Sequence, residues 1–217
     1  HEKSENHEKK EKKEKKEKKE KKDKKEKKES KKTRSNSDAS GSLDAAGALV
    51  FNDEVMQNVV TKIAAFVEEA GDSLDVDEFF AEVRAIQVSQ DFDNDLRLYA
   101  VIAGLFPAGS LNKKSLPPLV DHVIKIIDNA KMAPPQVFTA FEQYYATFPE
   151  SLKGYPMVLK VLYDEEVFDD SACIAHYSQD SSSGEWFDQA KPVVQPFLNW
   201  LQESEESSSE EVDVDGI

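Results

Sequence analysis

The chain has 217 residues, with 28 Lys plus Arg against 43 Asp plus Glu and a formal charge of -15. That sum joins two opposite parts: residues 1 to 34 hold 18 basic and 10 acidic side chains, net +8, and the remainder is -23. An anionic body repels nucleic-acid phosphates and attracts Lys- and Arg-rich protein segments, so nucleic-acid contact is expected only through the arm.

The arm is low complexity, with an acid at every third position from Glu2 to Glu29. Pairs such as Glu11 with Lys15 suit transient helix, but without an apolar face a solvated linker is the expected state. Residues 35 to 47, rich in Ser, Gly, Ala and Asp, read as a flexible junction that would let the arm fold back on the body. Helical periodicity then takes over. Val55, Val59, Val60, Ile63, Phe66 and Val67 mark a first helix stopped by Gly71, and a second begins near Asp75 with Phe79, Val83 and Ile86. A third runs from Leu96 to Leu105, before Pro107. A fourth carries Val120, Val123, Ile126 and Ile127 behind Pro117 and Pro118, and a fifth opens at Pro134 and Pro135. Met157 to Tyr163 follows Pro156, Ala172 to Tyr177 forms a short helix, and Trp186 to Gln202 reads as one or two helices divided or bent at Pro192 and Pro196. No alternating strand or hairpin turn is legible. The expected fold is all-α, with antiparallel helix pairs stacked as a HEAT-like array. Residues 1–47 read as a charged linker, 48–203 as the helical domain and 204–217 as an acidic tail.

Catalytic signatures are missing from this stretch: no Gly-rich phosphate loop, nucleophile elbow or metal-spaced His pair is present. His122 reads as a surface or satisfied structural histidine, and Cys173 and His176, three apart on one helix, lack an orienting group. The single cysteine suits a reducing compartment, and no apolar run reaches the ~20 residues of a membrane span. No cofactor or metal is expected, and a cytoplasmic location is. The chain starts at His1, which reads as a fragment of a longer protein.

Two acidic and aromatic boxes carry the functional signal. The first, Leu162 to Tyr177, sets Asp164, Glu165, Glu166, Asp169 and Asp170 among Tyr163, Phe168 and Tyr177. The second sets Phe197 and Trp200 against Glu203, Glu205, Glu206, Glu210 and Glu211. Aromatic anchors beside a solvated negative field describe a docking surface for a basic partner.

These boxes, LYDEEVFDD and PFLNWLQESEE, resemble those closing the W2 domain, the HEAT-type (MIF4G/W2-type) C-terminal domain of eukaryotic translation initiation factor five and its relatives. The first departs from the family pattern in having His176 where Trp is usual. The resemblance implies a binding module that gathers initiation partners: Lys-rich blocks of the beta subunit of initiation factor two, initiation factor one, and initiation factor three. It implies no enzyme activity for this stretch, because the GTPase-activating chemistry of factor five lies in a separate N-terminal domain. The alternative implied is the C-terminal catalytic segment of the epsilon subunit of the exchange factor acting on initiation factor two.

Overall fold

The computed structural model describes residues 42–43, 49–50, 53–179 and 185–209, with side chains from 54 to 179 and from 186 to 203. The basic arm, most of the junction and the tail from 210 lie outside the described residues, as do the side chains of Glu205 and Glu206. Two strands, β1 (Ser42–Leu43) and β2 (Leu49–Val50), pair antiparallel with Ser42 opposite Val50 and Leu43 opposite Leu49. This corrects the expectation of no strand; two residues per strand are too few for alternation to show in sequence.

The other regular elements described are helices, and their ends follow local chemistry. Helix α1 (Asp53–Ala70) gives way at Gly71, whose φ of +53° a residue without Cβ adopts cheaply. Asp75 caps α2 (Val76–Gln90) by accepting from the Asp77 and Glu78 amides, each at 2.9 Å. Asp93 caps α3 (Asn94–Leu105) through the Leu96 amide at 3.0 Å. A 3-10 turn over Pro117–Leu119 leads into α4 (Val120–Ala130), and Pro134 and Pro135 open α5 (Pro134–Thr147). Helices α6 (Tyr155–Asp164), α7 (Asp170–Tyr177) and α8 (Glu185–Ser209) complete the array.

Helix α8 is continuous through Pro192 and Pro196, the single-helix alternative of the sequence reading. Both prolines are exposed and four residues apart, so the carbonyls they leave unpaired lie on the solvent side while Val194, Phe197, Leu198 and Leu201 bury the other face.

Helices α1, α3 and α5 pack in succession, α2 packs on α4, and α5 and α6 pack on α8. This is the arrangement of stacked helix pairs expected from the sequence. At the centre, α3 is buried on all sides from Leu96 to Leu105. It approaches α1 closely because Gly104 has no side chain: a Cβ there would stand 2.5 Å from Ile63 Cγ2. The fully buried Arg97 donates to Gln87 Oε1 (3.1 Å) and Asn129 Oδ1 (3.3 Å), joining α2, α3 and the end of α4. Burial among these neutral partners lowers its pKa.

Candidate functional site: an acidic cleft beside an aromatic pad

The first box is built around the end of α6. The Glu166 amide donates to Tyr163 O and the Val167 amide to Leu162 O, both at 3.0 Å, which closes the helix in a Schellman turn. Such a turn needs a left-handed residue, and Glu166 supplies it at φ +58° where glycine is usual. The turn swings the chain into α7, whose cap is Asp169. One carboxylate oxygen, Oδ1, accepts from the Ala172 amide at 2.7 Å and the Ser171 hydroxyl at 2.8 Å. These two hydrogen bonds hold the Asp169 carboxyl below its usual pKa, so it stays an anion. The cap gives Asp169 a structural task beside any binding one. An Asp just before an Ala-rich helix start was the sequence signal for it.

Between α5, the end of α6 and the start of α7 lies an open cleft of about 630 Å³. Four carboxylates line it, those of Asp164, Glu166, Asp169 and Asp170, together with Tyr163, Val167, Phe168 and Pro134. Glu165 is exposed on the same turn.

The second box meets this cleft through an aromatic pad. Tyr163 stands edge-on to Trp200 at 5.9 Å between centroids and to Phe197 at 6.3 Å, and Phe197 stacks on Trp200 at 5.7 Å. The Trp200 side of this pad faces solvent: Trp200 is 39% exposed while Phe197 is 6%. Lys160 closes the group, with its ammonium 2.8 and 2.9 Å from the two Asp164 oxygens and 5.0 Å from the centre of the Trp200 ring. Glu203 is exposed one turn beyond Trp200 on the same helix. Glu205 and Glu206 follow on α8, and Glu210 and Glu211 lie outside the described residues.

The aromatic members of the two boxes therefore divide. Tyr163 and Trp200 reach the surface, whereas Phe168, Tyr177 and most of Phe197 are buried in the core. Phe168 packs edge-on to Phe138 at 4.9 Å. Tyr177 stacks on Phe187 and shares a 2.9 Å hydrogen bond with the Tyr155 hydroxyl. Burial pushes the pKa of both tyrosines well up.

His176, the departure from the family pattern, is also a core residue. Its Nε2 lies 3.0 Å from Glu142 Oε1, both groups are buried, and the ring packs on Phe138, Tyr177 and Phe187. An indole at this position would thus face the interior and not a partner. Cys173 is buried and its thiol is pushed up to about 12 by desolvation, which makes it a poor nucleophile. His122 is buried too, with Nε2 3.2 Å from Leu74 O.

A second groove of about 430 Å³ opens between α1, α3 and α5, lined by Met56, Val60, Tyr99, Ala103 and Thr147 among others. No ionisable group lines it other than Tyr99, so it offers a charged partner nothing. No described helix is long and apolar enough to cross a membrane.

Comparison with known proteins singles out the same helices. The W2 family model, described as eIF4-gamma/eIF5/eIF2-epsilon, matches residues 135–211, from α5 through α8 and across both boxes. Probable eukaryotic translation initiation factor 5-2 of Arabidopsis thaliana is 35% identical over 65 residues, 29% of this chain and 14% of that protein. Eukaryotic translation initiation factor 5 of Zea mays is 38% identical over 65 residues, 30% of this chain and again 14% of the relative. The chain thus spans only about a seventh of the length of these curated relatives. A solved structure, The C-terminal Domain of Translation Initiation Factor 5 at low pH, has the same fold at a TM-score of 0.54 and 19% identity, over 76% of this chain and 99% of that one. Residues 135–211 thus match the W2 family, and the fold is that of the C-terminal domain of translation initiation factor 5.

Proposed function

We propose that this chain is a docking scaffold of translation initiation, in which the acidic cleft and the Trp200 pad receive Lys-rich segments of the beta subunit of initiation factor two. Initiation factors one and three are further partners in this reading. The helical domain, 48–203, provides the rigid surface, and the tail, 204–217, extends its negative field. The observation that carries the proposal is the adjacency of four cleft carboxylates to a half-exposed indole. Exposed ion pairs contribute about 0–1 kcal/mol each, so a micromolar complex at about -8 kcal/mol needs many of them or an apolar anchor. The site offers both. No chemistry is assigned to this stretch: His176 and Cys173 are committed to the core. The exchange-factor reading has the family description in its favour, while the two curated relatives named above favour factor 5.

The test is a titration of the full chain with a Lys-rich peptide, following backbone amide shifts. Shifts concentrated at 163–170 and 197–203 are expected. Shifts confined to the groove between α1, α3 and α5 would refute the assignment.

A further inference from the structure

Lys160 holds a position that an incoming partner would need. Its ammonium sits on both oxygens of Asp164 and over the face of Trp200, and those are the two features, a carboxylate and an aromatic ring, that recognise a lysine or arginine side chain. Two of the three large apolar side chains most exposed among the described residues flank it: Met157, 40% exposed and one turn before it on α6, and Trp200 on α8. The face is thus an apolar and acidic strip with a cation of the same chain laid across it.

The contact is built to be weak. Lysine four residues before aspartate is the less favourable order for a helical pair, and both side chains are well exposed, at 39% and 54%. An exposed cation–π contact and an exposed ion pair together bias the lysine toward this seat by roughly three- to tenfold.

We propose that Lys160 is an internal stand-in for the partner's basic side chain, and that a partner lysine or arginine enters the Asp164–Trp200 seat by displacing it. This inference rests on the docking function proposed above and adds a regulation of that surface: affinity is set low by a competitor built into α6. Only a segment with several basic residues, gaining from the other cleft carboxylates at the same time, displaces it readily. A single free lysine does not.

The experiment compares binding of oligolysine to the full chain carrying Lys160→Gln with binding to the wild type and to Lys62→Gln. Lys62 is exposed on α1, so its substitution makes the same change in net charge outside the seat. Lys160→Gln is expected to tighten binding by roughly three- to tenfold beyond Lys62→Gln. In the wild type, the Lys160 side-chain methylene signals, shifted by the Trp200 ring, should move to unshifted positions as peptide saturates the site. Equal affinities for the two variants, or Lys160 signals that stay ring-shifted at saturation, would overturn the displacement while leaving the docking function standing. Absence of binding by wild type and both variants would overturn both. Binding by Lys160→Gln alone would also overturn the displacement, because oligolysine would then be unable to dislodge Lys160 from the wild-type seat.

Discussion

Helices α1 to α4 and helices α5 to α8 fold by the same rules but present different surfaces. In the first region the centre is α3, buried from Leu96 to Leu105, and its buried Arg97 is held by Gln87 and by the exposed Asn129. In the second region the interior is a run of contacting rings, Phe138, Phe168, Tyr177 and Phe187, while carboxylates and Trp200 are turned outward. The family match is confined to 135–211, although the shared fold extends over 76% of the chain. The difference teaches that apolar packing can be met by many sequences, whereas a docking surface depends on which side chains are turned outward.

The sharpest way to break that division is to truncate an inward and an outward ring of the second region. Phe138→Ala should cost about 3–5 kcal/mol, because it removes the ring around which Phe168, His176 and Tyr177 pack. Trp200→Ala, at a half-exposed site, should cost about 1–2 kcal/mol and act mainly on peptide affinity. Urea unfolding of both variants checks the ordering; equal losses would mean that the pad is core after all. In the first region, Gly104→Ala should destabilise by about 1–3 kcal/mol by driving a methyl into Ile63, with no effect on peptide affinity. A loss of affinity in that variant would show that the two regions do not act independently.

Glu166→Gly should be the smallest effect. Relief of the left-handed strain, about 1 kcal/mol, is offset in part by added freedom in the unfolded chain, so the melting temperature should rise slightly or hold. Acid offers a further probe of the cap on α7. The folded pKa of Asp169 lies below its unfolded value, so its contribution is present in full above the ordinary carboxylate range and is lost as pH falls through the depressed value. Substitution by Asn should remove that part of the acid dependence. A pH–stability curve for Asp169→Asn that follows the wild type throughout would deny the cap this role.

Much of the fold could be read from sequence because its punctuation is local. Gly71, the paired prolines before α4 and α5, and the apolar spacing of each helix locate the elements without tertiary information. Pro192 and Pro196 left one helix or two open, because their cost depends on whether the freed carbonyls meet solvent, which only the packed α8 decides. The boxes themselves were legible as motifs, yet the side each ring takes was not. Phe168 lies in an irregular turn where helical period says nothing, and Tyr177 is drawn inward by a hydrogen bond to Tyr155, 22 positions away. The Lys160 contact with Trp200 depends on α6 lying against α8, so no local pattern announces it.

The central claim is that the carboxylates at the end of α6 bind a basic segment and contribute little to the fold. The direct test is Glu165→Lys/Glu166→Lys in the full chain, since lysine at a helix C-terminus suits the macrodipole and both side chains are exposed. Calorimetric titration with a Lys-rich peptide should show affinity reduced by roughly tenfold or more, with the loss shrinking at high salt as the Debye length falls from ~10 Å at 0.1 M to ~3 Å at 1 M. The melting temperature should stay within ~2–4 °C of the wild type. Unchanged affinity in a variant that folds normally would contradict the account.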